Sequence, residues 1–199
     1  MIQKDTLTKL YFTDKLSMKQ ISEKLSCSVN KIEYWMKYHK LKRRTISEGV
    51  YTRHNPKGDP FLFRLPVTKS EILLFGLGLG LYWGEGTKAN KYSVRLGNTD
   101  PKLILTFIKF LETFFGVSKK DMRFGIQVFS TMNVEDILSF WTKELKVTKD
   151  HFMKVIVTPK RGEGSYGRKI EYGVLTVYYH NKKMRDTLNL EIEKLKEIR

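Results

Sequence analysis

The sequence predicts an α+β protein in two parts: a small N-terminal domain of three helices, then a larger domain running αβαβαββα around an antiparallel sheet. Three observations carry this expectation. Short amphipathic stretches with serine caps crowd residues 1–45. An apolar, glycine-studded run, FGLGLGLYWGEGTK, occupies residues 75–88. Beyond it, segments of period two alternate with segments of period 3.6, the marks of strands and helices on one core. The boundaries that follow are a helical domain over 1–45, a linker over 46–68 and the α+β domain over 69–199.

In the first domain, a helix over about residues 4–15 supplies Leu7, Leu10 and Tyr11. Ser17 with Gln20 forms a capping box for a second helix whose apolar stripe is Ile21 and Leu25. Ser26 and Cys27 interrupt, Ser28 caps a third helix, and Ile32, Trp35 and Met36 face inward at i, i+3, i+4. The segment YTRHNPKGDPFLFRLP holds three prolines and one glycine and reads as part of the linker, with Phe61, Leu62 and Phe63 pinning it to the next domain.

Charge narrows the class of partner. The 199 residues carry 37 Lys+Arg against 21 Asp+Glu, net +16. Residues 1–68 hold 14 basic and 6 acidic side chains, and residues 69–199 hold 23 and 15, so each part is net +8. Dispersed cations of this kind favour nucleic acid, because phosphate neutralisation releases counterions. A single cysteine, Cys27, excludes an internal disulfide framework and suits a reducing cytoplasm. The N-terminus lacks an uninterrupted apolar leader. The longest apolar run, residues 72–83, is too short to cross a bilayer, so no membrane partner is expected.

The glycine run needs a reason. Thr68 and Glu71 form a capping box, so a helix enters the run. Interior glycine costs roughly 1 kcal/mol against alanine. Gly76, Gly80 and Gly84 stand four apart on one face, which suits close approach of a second helix, with residues 77, 79, 81 and 82 filling the flanks. Glu85 then falls at the helix C-terminus, where the macrodipole disfavours a carboxylate, and Gly86 reads as the stop. A cation near Glu85 is expected. Phosphate-loop readings fail on spacing: Trp83 stands where a dinucleotide fingerprint needs its third glycine, and Gly86-Thr87-Lys88 has the wrong order for a P-loop. An ordinary buried glycine-rich helix ending on a surface glutamate is the plain alternative.

After the run, YSVRLGNTD (strand over 91–98), DPKLILTFIKFLETFFGV (helix opened by Asp100-Pro101), DMRFGIQVF (strand over 121–129) and NVEDILSFWTKEL (helix) follow in order. FMKVIVTP and IEYGVLTVYY are strands joined by the basic loop KRGEGSYGRK, and NKKMRDTLNLEIEKLKEI closes as a helix. Alternation sends Tyr92, Val94 and Leu96, then Phe124, Ile126 and Val128, then Leu175, Val177 and Tyr179 to the core. Ser93, Arg95, Arg123, Gln127, Tyr172, Thr176 and Tyr178 are left outward. Arg95, Arg123 and Gln127 on an open sheet suit base edges in a major groove, and the loop residues Lys160, Arg161, Arg168 and Lys169 suit phosphates. A merely solvated sheet face is the alternative for any one of them.

Two resemblances connect these residues. GLYWGEG, residues 80–86, resembles the end of the LAGLIDADG motif of homing endonucleases: Gly80-Leu81, the small Gly84, the acidic Glu85 and the closing Gly86 match, while Trp83 stands where an aspartate is frequent. The element order over about 69–198 is similar to that family's core with a helix between its first strands. Residues 5–45 resemble a helix-turn-helix of the resolvase or sigma-factor kind, with LSCSVNKIEYW as the joint. That resemblance assigns Ser28, Asn30, Lys31, Tyr34 and Lys37 to the DNA-facing side of the recognition helix, and Lys42, Arg43 and Arg44 to a basic arm. A protein-docking module with a basic face is the other reading of this domain.

The family resemblance implies a homodimer through Gly76, Gly80 and Gly84, since one motif supplies half a site. It implies Mg²⁺ held by Glu85 and the Gly84 carbonyl, and metal-dependent cleavage of double-stranded DNA with Glu85 as the catalytic acid. The alternative is a DNA-binding regulator that reuses the fold without cutting, as in a sporulation-regulator family that pairs such a domain with a helix-turn-helix. There the acid is lost, whereas here Glu85 stands. A role in RNA processing is a third and weaker reading. The four histidines 39, 54, 151 and 180 show no metal-ligand spacing.

Overall fold

The computed structural model describes residues 1–159 and 171–197. The chain divides into two compact units, Met1–Pro60 and Phe61–Arg199. Among the described residues no helix is long and apolar enough to cross a membrane.

The first unit contains α1 (Lys4–Thr8), continued by a π-turn over Lys9–Thr13, then α2 (Met18–Lys24), α3 (Val29–Tyr38) and α4 (Ile46–His54). Its core is Leu7, Leu10, Tyr11, Ile21, Ile32 and Met36, with Trp35, Leu25 and Leu41 packed at the edge. The Ser17–Gln20 capping box forms as expected. The Ser28 hydroxyl accepts from the Lys31 N–H at 3.2 Å and starts α3. The joint between α2 and α3 turns through Ser26, a non-glycine residue at φ 46°.

Helix α4 corrects the expected linker. Residues 46–54 are helical and belong to the first unit, which runs to Pro60 rather than ending at residue 45. Thr45 and Glu48 make a full capping box, yet the helix has no buried residue, and Ile46 and Val50 are exposed. Its start signal is chemical rather than periodic. Phe61 and Phe63 do pack on the second core, while Leu62 is exposed and only its N–H is used, donating to the Phe115 carbonyl at 3.0 Å.

The second unit runs α5 (Lys69–Glu85), β1 (Val94–Asn98), α6 (Pro101–Phe115), β2 (Arg123–Phe129), α7 (Val134–Leu145), β3 (Ile156–Thr158), β4 (Val174–Tyr179) and α8 (Lys182–Lys196). The order αβαβαββα is the one expected. The sheet is mixed rather than antiparallel. Its strand order is β1-β4-β2-β3, with β1–β4 and β4–β2 antiparallel and β2–β3 parallel. The reason is topological: β2 reaches β3 through α7, and a helical crossover delivers parallel strands.

Val94, Leu96, Phe124, Ile126, Val128, Leu175, Val177 and Tyr179 are buried as expected, in one core with the inner faces of α5, α6, α7 and α8. Two assignments at the start of β1 fail. Tyr92 is exposed, and Ser93 is fully buried. The cause is the Asn90 side chain, whose Oδ1 accepts the Tyr92 and Ser93 N–H groups and the Ser93 hydroxyl at 2.9–3.0 Å, so the chain turns there and the strand begins only at Val94. Tyr172 also turns inward, precedes β4, and stacks on Phe140 at 3.6 Å.

Helix α5 is fixed by one contact. Gly78 lies directly on Phe110 of α6, where a Cβ would meet the ring at 2.1 Å. Phe110 cannot give way, because Phe75, Phe107, Phe114 and Phe115 surround its ring. Leu79 and Tyr82, expected to flank a second helix, are instead buried in this core. Gly86 ends α5 in extended conformation (φ −70°, ψ 141°) rather than left-handed, bridging to Leu96. Alanine at position 78 gains roughly 1 kcal/mol of helix propensity but overpacks a rigid site at about 1–3 kcal/mol. Gly78→Ala is therefore expected to lower the unfolding free energy measured by urea denaturation. An unchanged or raised value removes this contact as the determinant of α5.

Candidate nucleic-acid interface

Three cationic or apolar surfaces concern the site residues. The first is the outer side of α3. Asn30, Lys31, Tyr34 and Lys37 are exposed on it, while the Ser28 hydroxyl is committed to the cap. Tyr38 joins them, unassigned from the sequence: it is 63% exposed, and its ring stacks on Tyr34 at 6.4 Å and 19°. The i, i+4 spacing of two tyrosines beside lysines was the signal for it.

The basic arm is not free. The Arg44 guanidinium lies over the Tyr11 ring at 4.1 Å, donates to the Lys15 carbonyl at 3.1 Å and also to the Leu16 carbonyl. Its backbone N–H donates to the Tyr11 hydroxyl at 2.9 Å. Arg44 thus clasps the α1–α2 connection, and its guanidinium is engaged within the unit. Arg43 pairs with Glu33 on α3, leaving Lys42 as the exposed cation of the trio that makes no ion pair among the described residues. The loop residues Lys160, Arg161, Arg168 and Lys169 lie outside the described residues.

The second surface is the outer flank of α5. Gly76, Gly80 and Gly84 all point to open space, with nothing within 4 Å of a Cβ built on them. Leu73, Leu77 and Ile72 beside them are exposed, and Trp83 is half-exposed under the Lys196 ammonium. Glu85 closes this flank in solvent and makes no direct ion pair among the described residues. The expected nearby cation is Lys88, whose ammonium donates to the Trp83 carbonyl. Burial pushes that ammonium below its ordinary pKa, Glu85 opposes the shift, and Lys196 adds to it. Among the described residues no three His, Cys, Asp or Glu side chains gather as a metal cluster. Glu85 and the Gly84 carbonyl are hard oxygen donors suited to Mg²⁺, but one chain brings only this pair.

The third surface is the sheet face opposite the core. Register places Arg95, Tyr178 and Arg123 in one row across β1, β4 and β2. The next row is Gly97, Thr176 and Gly125, and Gln127 with Val174 follows. Arg123 and Gln127 are exposed, Arg95, Thr176 and Tyr178 half-buried. Gly125 leaves space for the Tyr178 ring, whose Cε2 would lie 3.0 Å from a Cβ there. Arg95 rests over that ring at 5.1 Å, its Nε donating to the buried Ser93 hydroxyl at 2.8 Å. Arg123 Nη1 donates to the Met122 carbonyl at 3.1 Å and lies 3.3 Å from His151 Nδ1. His180 stacks beside Tyr178 at 6.1 Å. Partial burial, then Arg95, then Arg123 hold its imidazole below the ordinary histidine pKa. The strand pattern made the outward row legible, whereas the tethers of Ser93 and His151 come from turns that no alternation reveals.

No family model matches the chain, and no curated protein or solved structure matches it either. The geometry of these three surfaces is therefore what a functional reading rests on. Arg44 supplies the sharpest check on the first. Its loss leaves two carbonyls without a charged donor, so Arg44→Ala is expected to cost the N-terminal unit about 2 kcal/mol, read by urea denaturation of the full chain. Lys42→Ala is expected to leave stability unchanged, and an Arg44→Ala variant as stable as wild type contradicts the clasp.

Proposed function

We propose that the protein is a sequence-specific binder of double-stranded DNA that acts as a homodimer and cleaves its site with a divalent metal, in the manner of the LAGLIDADG endonucleases. One observation carries the reading: an apolar helix flank stripped of side chains at Gly76, Gly80 and Gly84, bordered by exposed Leu73 and Leu77, runs to an exposed Glu85 that makes no ion pair among the described residues. A second copy of α5 laid on that flank brings two Glu85 carboxylates to one end of the helix pair. Leu73, Leu77, Gly80 and Gly84 stand at i, i+4, i+7, i+11, the spacing of a helix-pair seam.

Within this reading, Glu85 and the Gly84 carbonyl of each protomer would hold Mg²⁺. A bound Mg²⁺ supplies activation of water and charge stabilisation for phosphodiester hydrolysis. The chain's own residues do the rest. Asn30, Lys31, Tyr34 and Lys37 on α3 read or hold one stretch of duplex, and the Arg95, Arg123 and Gln127 face engages another. Lys88 offsets part of the Glu85 charge while no metal is bound.

A second reading has its own observation. The capped α2–α3 pair with its exposed polar face is sufficient for DNA recognition without chemistry, as in a regulator. Glu85→Gln separates the two. After selection of a bound duplex from a random pool, wild type is expected to cut it in Mg²⁺ or Mn²⁺. Glu85→Gln is expected to lose at least a hundredfold in cleavage rate, as removal of a catalytic group does, while keeping its affinity in EDTA. Binding by wild type without cleavage in either metal replaces the nuclease reading with the regulator.

A further inference from the structure

The row Arg95–Tyr178–Arg123 places one guanidinium on either side of Tyr178, with His180 stacked beside that ring and His151 3.3 Å from Arg123. Among the described residues neither arginine has a carboxylate within ion-pair distance. Asp150 feels Arg123 only weakly. Its carboxyl is held down first by the Thr148 side chain, then by its own backbone N–H and His151, and last by Arg123. Lys182, two residues beyond His180, is occupied by Asp186. Among the described residues these like charges thus stand on an open face without an acid in ion-pair contact.

The tethers also limit what these arginines can do. Arg95 is tied at Nε to Ser93 and sits 5.1 Å from the centre of the Tyr178 ring, so among the described residues its two Nη groups form the free edge. Arg123 is tied at Nη1. A side chain that reads a base edge must reach into a groove, whereas a tied guanidinium edge suits two oxygens of a phosphate lying across the surface.

We propose that this row seats one phosphodiester group of a bound nucleic-acid backbone, gripped by Arg95 and Arg123 with the His180 imidazole as the third donor. The assignment rests on the nucleic-acid reading above and replaces base readout for these two arginines. It has a consequence in protons. In the free protein partial burial, and then the neighbouring guanidiniums, disfavour a charged imidazole at His180. A phosphate placed among the three groups favours the imidazolium, so His180 takes up one proton on binding. Binding therefore tightens as pH falls from neutral through the interval between the bound and free pKa, by at most about tenfold per pH unit for one proton.

The test follows the His180 ring by NMR in the full-length protein, assigned with His180→Gln. Affinity for a short mixed-sequence duplex is measured in parallel by fluorescence anisotropy at constant ionic strength between about pH 8 and 5. The duplex is expected to raise the His180 pKa. Wild type is expected to gain affinity with a slope steeper by up to one proton than His180→Gln, with His151→Gln retaining the wild-type slope. Arg123→Gln should weaken duplex binding and shrink the pKa rise. Duplex binding with an unmoved His180 and equal slopes overturns the seat and leaves DNA binding intact. Inorganic phosphate moving His180 where the duplex does not overturns the backbone assignment. Absence of duplex binding at every pH overturns the seat together with the reading it rests on.

Discussion

Helix α5 is apolar on all sides but covered on only one, and the rest of the second unit is arranged around that imbalance. The covered side is set by Gly78, which lets Phe110 of α6 approach the backbone more closely than any side chain allows. Leu79 and Tyr82 then enter the core, Tyr82 stacking on Phe107 at 6.0 Å. With the inner side decided, Gly76, Gly80 and Gly84 have nowhere to point but outward. Burial of apolar surface is worth roughly 25 cal/mol per Å², and exposed leucines beside open glycines leave that gain unrealised within one chain. In the proposed homodimer a second copy realises it. Glu85, the first polar residue after the run, is carried by the same geometry to the end of the exposed seam.

The two ends of the chain use charge differently. In the first unit, two cations beside α3 are committed: Arg44 holds the α1–α2 connection and Arg43 pairs with Glu33, while Lys31, Lys37 and Lys42 are exposed. On the sheet, Arg95 and Arg123 make no ion pair among the described residues. A net +16 therefore overstates how many positive side chains are free to contact nucleic acid, because several act as structural donors.

Much of this was legible in the sequence, and the failures share a cause. Capping boxes located α2 and α5, Asp100-Pro101 opened α6, and alternation sorted β2 and β4 correctly, because caps and period two are local signals. Helix α4 escaped because it buries nothing, so no stripe marked it; only Thr45 and Glu48 did. Tyr92 and Ser93 were misplaced because the Asn90 side chain holds the chain in a turn for two residues longer than alternation implies. The parallel pairing of β3, the clasp of Arg44 and the tether of Arg95 all depend on groups distant in sequence or on turns, which neither pattern reports. At the glycine run, the four-fold spacing pointed to Gly76, Gly80 and Gly84 as the face of close approach, whereas the glycine that meets α6 is Gly78, which no spacing marks.

The proposed paired Glu85 site requires the outer flank of α5 to be a seam between two copies of this chain. Sedimentation equilibrium of the wild-type protein over a range of concentrations, beside a Gly80→Leu variant, measures that most directly. Position 80 is open to solvent in the single chain, so leucine there is tolerated by the fold and obstructs only a partner helix. A dimeric mass for wild type and a monomeric mass for a folded Gly80→Leu protein is the expected result. A wild-type monomer at every concentration, or a variant that dimerises equally well, contradicts the seam and with it the paired Glu85 site.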